Sequence, residues 1–154
     1  MKHLARHPIH LLSLGFGAGL TPFAPGTMGT LVGVILYIGL QPLSLPWYLL
    51  TVAILFVLGI GLCGATARAL ATPDHPAIVW DEMVGFLVTM TAAPTGWGWV
   101  LWGFILFRCF DIAKPWPIGI IDTRIRGGVG IMSDDLLAGL YALASLQLAA
   151  LVLR

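Results

Sequence analysis

Five apolar stretches follow one another along this chain, and nearly every charge falls in the breaks between them or at their ends. Before the first of them, the segment from Leu11 to Leu20 is apolar but too short and too rich in glycine to cross a bilayer, which takes about 20 residues and at least ~17. It reads as an interfacial or re-entrant piece. After the break at Thr21-Pro22-Phe23-Ala24-Pro25-Gly26, Thr27 is placed to cap a short helix from Met28 to about Leu40. Gly29 and Gly33 give that helix a G-x-x-x-G face for close contact. Trp47 to Ala65 is a full span. Ile78 to Ala93 is the next, with Asp81 and Glu82 in its first turn. Trp97 to Phe110 returns, its Trp97, Trp99 and Trp102 suited to an interfacial belt. Leu136 to Leu153 closes the chain, with Gln147 as an interhelical hydrogen-bond donor.

The pattern predicts an all-α fold: a polytopic membrane helical bundle of about five apolar helices, the first short and four to five spanning, in one domain over residues 1–154. On this path the N-terminal segment and the connections 66–80 and 114–134 share one side. That side receives Lys2, Arg6, Arg68, Arg108, Lys114, Arg124 and Arg126, together with every carboxylate; the other receives Arg154 alone. The positive-inside rule makes the charged side cytoplasmic. Charges gathered at helix ends, with none near mid-membrane, favour chemistry at the membrane surface over transport through it.

Composition supports this reading. Of 154 residues 58% are hydrophobic and 10% charged, where a soluble domain has about 25% charged. The net charge of +1 leaves no basic field for nucleic acid. Cys63 and Cys109 sit in apolar runs without metal-ligand spacing and read as buried thiols. Met1-Lys2-His3-Leu4-Ala5-Arg6-His7 and the run after it look like a signal peptide but lack an Ala-x-Ala site, so the segment is expected to be retained. His3, His7 and His10, at helical spacing, suit a headgroup-facing helix end. His75 belongs to a loop.

Four of the seven acidic and four of the eight basic residues lie between Phe107 and Asp135. Arg108, Asp111 and Lys114 stand at i, i+3 and i+6 near the end of the fourth helix, and Pro115 and Pro117 fix a rigid exit. Ser133, ahead of Asp134 and Asp135, could cap the last helix, and Gly127-Gly128-Val129-Gly130 before it would let backbone approach a ligand. Asp81 and Glu82 could simply complement a helix dipole, and as neighbours they point about 100° apart. Three carboxylate clusters on one face would nevertheless repel unless compensated. A hard divalent cation such as magnesium suits their oxygens, while Arg108 and Lys114 suit a phosphate. Gly15-Phe16-Gly17-Ala18-Gly19 and Pro25-Gly26-Thr27-Met28-Gly29-Thr30 match neither a Rossmann nor a Walker loop. They serve either phosphate binding through backbone N–H groups or close packing.

These stretches together resemble the bacterial phosphatidylglycerophosphatase A family. The resemblance rests on Gly15 to Leu20, Pro25 to Gly29, Val79-Trp80-Asp81-Glu82, Phe107-Arg108 through Asp111 to Lys114-Pro115-Trp116-Pro117-Ile118, Asp122, and Gly127 to Met132 with Asp134-Asp135, in the family's order over nearly the whole chain. It implies a magnesium-dependent hydrolase of the bacterial inner membrane, acting on the terminal phosphomonoester of phosphatidylglycerophosphate to give phosphatidylglycerol. Glu82, Asp111, Asp134 and Asp135 would be the catalytic carboxylates and metal ligands, with Asp81 behind them in the metal set. Thr27, Arg108, Lys114 and Asp122 would bind substrate; Arg124 and Arg126 stand apart from the matching stretches and read as headgroup contacts. Metal-activated water and a covalent carboxylate intermediate are both open on this reading. A small transporter, a CDP-alcohol phosphotransferase and a noncatalytic membrane assembly protein are the competing readings. They lack, respectively, mid-membrane charges, the longer spaced aspartate motif, and an account of the carboxylates.

Overall fold

A computed structural model describes residues 6–153 of the chain; Lys2, His3, the first residues of the leader-like segment and Arg154 lie outside them. The described residues are helical without a strand, as the apolar pattern implies. The order is α1 (Pro8–Ser13), a 3-10 segment (Gly15–Leu20), α2 (Pro25–Leu40), α3 (Leu45–Ala69), α4 (Trp80–Thr89), α5 (Trp97–Ala113), α6 (Ile118–Arg124) and α7 (Gly127–Val152).

Two of these helices, α3 and α7, are long and apolar enough to cross a membrane. That is fewer than the four to five spanning helices expected, because the others are shorter. At ~1.5 Å per residue, α2 and α5 reach about 25 Å, and α4, with ten residues, about half the ~30 Å of a hydrocarbon core. The apolar run from Ile78 to Ala93 is therefore not one span. Its middle is α4, buried at every position except Glu82 and packed by α7, α2, α3 and α5.

A helix that ends inside a bundle leaves its last carbonyls without water. Gln147 of α7 braces the turn that follows α4, its amide nitrogen 3.0 Å from the carbonyls of both Thr91 and Ala92. The Tyr48 hydroxyl of α3 donates to the carbonyl of Leu87 at 2.6 Å. Around this central helix the neighbours come close because glycine faces it. A Cβ on Gly139 of α7 would stand 2.6 Å from the carbonyl oxygen of Gly85, and one on Gly33 of α2 would stand 3.1 Å from the backbone of Met83. The small-residue face expected at Gly29 and Gly33 is thus where α2 seats on the start of α4.

Three local expectations change. Helix α2 begins at Pro25, a favoured first helical position, after a left-handed Ala24 (φ 46°), so Thr27 lies inside the first turn and caps nothing. Helix α7 begins at Gly127, so Ser133 is no cap; Gly127 enters with φ 76°, and Gly128 and Gly130 are helical, with a Cβ on Gly128 set to collide with the Ile60 carbonyl of α3. Cys63 is buried as expected, whereas Cys109 is exposed on α5.

The outer faces are apolar. Leu49, Leu50, Ile54, Val57 and Leu58 of α3, Trp97, Leu101, Trp102 and Ile105 of α5, and Leu140, Leu148, Leu151 and Val152 of α7 are all exposed.

Candidate active site

The start of α2, the start of α4, the end of α5 and the second turn of α7 converge at one end of the bundle. Between them is a cavity of about 300 Å³, lined by Gly26, Asp74, Asp81, Glu82, Arg108, Asp111, Lys114, Asp134 and Asp135 with a few apolar neighbours. Asp122, the remaining acidic residue of the chain, pairs with Lys114 from α6. Charges spread over 60 residues of sequence thus meet in one place, in a molecule whose exterior is apolar.

Three of the five expected metal-set residues form the tightest group. Asp81, Glu82 and Asp135 each offer a carboxylate oxygen, and these oxygens lie within 4.8 Å of one another. The divergence expected of neighbours on a helix is overcome because Asp135 approaches from α7 between them. Asp81 and Asp135 are 7% and 4% exposed, which leaves little water to solvate their charge. Oδ1 of Asp81, Oε2 of Glu82 and Oδ2 of Asp135 are buried without a hydrogen-bond partner. Buried carboxylates without partners are costly. Such an oxygen set is of the kind that a hard divalent cation takes, so the residues fit a magnesium ion. The N-terminal end of α4 adds a favourable dipole but no full charge.

Asp111 and Asp134 occupy different positions in the cavity. Asp111 forms an ion pair with Arg108, one turn away on α5, and Arg108 Nη1 lies 4.0 Å from Glu82 Oε1. The guanidinium Nε is buried and unpartnered, leaving it a free donor. Asp134 accepts from Lys114 Nζ at 2.8 Å through Oδ2, while its Oδ1 is buried and free.

Lys114 caps α5 in a left-handed conformation (φ 41°, ψ 57°), a position usually given to glycine. That turn, followed by Pro115, aims its ammonium at Asp134 and at Asp122, 2.9 Å away. Partial desolvation would lower the Lys114 pKa, but the hydrogen bonds to Asp134 and Asp122 outweigh it, and the net shift is upward. It is a permanent cation at physiological pH.

Thr27 is not among the cavity-lining residues; Gly26 is. A Cβ there would meet the Glu82 carboxylate and stand 3.1 Å from the Arg108 nitrogens, so only glycine leaves both side chains in place. Asp74 is the residue that the sequence pattern did not single out. It sits in an irregular loop with no periodicity, and the one signal for it was its place on the charged side. Although it reaches solvent, partial desolvation pushes its pKa up; Lys114 pulls it down, and Asp122 and Asp111 add to the rise.

The family model described as "Phosphatidylglycerophosphatase A" matches residues 11–150. A protein of that name from Escherichia coli (strain K12) is 45% identical over 139 residues, covering 88% of this chain and 80% of its own. Another from Haemophilus influenzae is 48% identical over 138 residues, 88% of this chain and 85% of its own. A protein of Bacteroides thetaiotaomicron, provisionally named a phosphatidylinositol-3-phosphatase, is 39% identical over 150 residues, 92% of each chain. No solved structure matches.

Proposed function

Because the chain belongs to the phosphatidylglycerophosphatase A family, we propose that it hydrolyses the terminal phosphomonoester of phosphatidylglycerophosphate to phosphatidylglycerol and phosphate, with magnesium. The observation that carries this reading is the carboxylate trio beside Arg108 and Lys114, each member with one buried oxygen that has no hydrogen-bond partner. It lies at one end of a bundle whose outer faces are apolar. A lipid phosphate ester keeps its acyl chains in the bilayer and its phosphate at headgroup depth, where such an end would lie. We place the protein in the bacterial inner membrane with this end cytoplasmic, following the distribution of its basic residues. In this arrangement α3 and α7 span, α2 and α5 complete the crossings where the bilayer thins around them, and α4 is a half-length helix held within.

Asp81, Glu82 and Asp135 would hold the magnesium. When bound, the ion supplies a Lewis acid that lowers the pKa of a water and stabilises charge on the phosphoryl oxygens. Arg108, oriented by Asp111, presents its free Nε–H to a phosphate oxygen, and Lys114 adds a fixed positive charge. Held between two aspartates, Lys114 neutralises rather than exchanges protons. Asp134, with one oxygen on Lys114 and the other free, is placed to accept a proton from an attacking water. Gly26 keeps the wall behind Glu82 and Arg108 thin enough for a phosphate to reach both.

The test is phosphate release by the detergent-purified protein from phosphatidylglycerophosphate, phosphatidic acid and phosphatidylinositol 3-phosphate, each with magnesium and with EDTA. Magnesium-dependent release from the first lipid, well above the other two, is expected. Release from the inositol lipid alone would transfer the chemistry to that headgroup. No release from any, by a folded sample, would overturn the phosphatase reading.

A further inference from the structure

A second cavity, of about 250 Å³, opens beside the first between the loop after α3, α6 and the start of α7. Asp74 lines both cavities. The Lys114–Asp122 pair joins them as well, with Lys114 on the first and Asp122 on the second. The cation of the second cavity is Arg126, the residue that precedes α7. It is exposed and makes no ion pair among the described residues. Asp122 is held by Lys114, which it shares with Asp134, so the second cavity offers the Arg126 guanidinium as its one cation without an ion-pair partner among the described residues and the Asp74 carboxylate at its junction with the first.

This deepens the proposed reaction and rests on it. The substrate carries two phosphates: the terminal monoester, and an internal phosphodiester one glycerol away, with a free hydroxyl on the glycerol between them. We infer that the second cavity is the subsite for this internal part of the headgroup, Arg126 pairing with the phosphodiester and Asp74 accepting a hydrogen bond from the glycerol hydroxyl. A monoester held at the carboxylate trio then has its diester within the adjoining space, and the linking glycerol passes Asp74. Phosphatidic acid has neither group and leaves the second cavity to water. Selectivity between the two lipids therefore resides in Arg126 and Asp74, away from the reacting phosphate.

The experiment compares wild type, R126Q and R126K on phosphatidylglycerophosphate and phosphatidic acid in mixed micelles with magnesium, with a melting curve for each protein. Loss of one charge-assisted contact predicts a KM for phosphatidylglycerophosphate raised about tenfold in R126Q, with kcat within about twofold. Phosphatidic acid turnover stays the same, so the ratio of kcat/KM for the two lipids falls about tenfold. R126K, which keeps the charge without the fork, falls between. If phosphatidic acid turnover is too slow to measure, a raised KM with kcat held supports the subsite, and a lowered kcat with KM held overturns it. Equal losses on both lipids, or no change on either, also overturn it while leaving the phosphatase reading intact. Failure of wild type to hydrolyse phosphatidylglycerophosphate would remove both.

Discussion

At the scale of single residues, the tension lies in Asp81, Glu82 and Asp135, whose free oxygens share a nearly dry corner. Neutralising one of them separates their cost to the fold from their use. In EDTA, D135N is expected to melt at or above the wild-type temperature, because an isosteric amide removes one repelling charge. Magnesium at about 100 times its Kd should raise wild-type stability by about 2.7 kcal/mol and D135N by much less. Activity should fall about a hundredfold or more, the scale of losing one preorganised electrostatic contact. Thermal melts in detergent with and without magnesium, paired with phosphate release, check all three. Lys114 tests the other side of the cavity. Its folded pKa lies above the ordinary 10.5, so its stabilising contribution is complete below that pH and is lost as pH rises through the higher folded value. K114M should therefore cost stability at pH 7 to 9 and lose less than wild type between pH 10 and 11.5. Its activity should be lower at every pH below 9, where Lys114 is charged in the wild type.

At the scale of elements, α4 is the helix on which the site depends, and the turn that follows it is its weak point. Q147L would leave the Thr91 and Ala92 carbonyls, one half-buried and one exposed, without this donor, a loss of about 0.5 to 1.5 kcal/mol. The melting temperature should drop, while kcat of the folded fraction stays near wild type, because Gln147 sits at the end of α4 away from the carboxylates. A loss of kcat with stability held would show that α4 transmits strain to Asp81 and Glu82. This helix also shows what was legible in the sequence. The donor role of Gln147, the close face at Gly29 and Gly33, and the all-helical class could be read from residue type and spacing alone. The length of α4 could not, because the largely apolar run continues past Thr89 to Ala93 while the helix stops at Thr89, with α3 bonding its last turn at Leu87 and α7 bonding the turn beyond. Periodicity carries no trace of a partner from another helix. The start of α7 was hidden for a related reason: Gly127, Gly128 and Gly130 look like a flexible loop until the Ile60 carbonyl of α3 is seen against Gly128 and the Ile125 carbonyl against Gly130. Of the site, the carboxylates and both cations were visible as charges out of place in an apolar chain. Their division into a trio, an Arg108–Asp111 pair and an Asp122–Lys114–Asp134 bridge was not, since it depends on which helices converge.

At the scale of the whole molecule, the distribution of polarity is inverted relative to a protein in water: carboxylates line an internal cavity, while leucine, valine, isoleucine and tryptophan face outward. In water that exterior would be an aggregation surface; in a bilayer it is a solvated one. Val57 distinguishes the two environments, because it lies at the midpoint of α3 and is 66% exposed. A surface valine of a water-soluble bundle tolerates lysine within about 0.5 kcal/mol. At the centre of a spanning helix the same lysine costs about 2.5 to 3.5 kcal/mol on insertion scales. V57K is therefore expected to reduce the amount of protein recovered in the membrane fraction severalfold. L43K, in the connection before α3, should be tolerated, because a side chain there reaches the interface. Both can be read by quantitative blotting of fractionated membranes, without an activity assay. Wild-type recovery of V57K in the membrane fraction would mean that this face of α3 does not meet lipid. The open end of the carboxylate cavity would then no longer be fixed at headgroup depth, and a lipid substrate would lose its physical basis even if the carboxylate trio still bound magnesium.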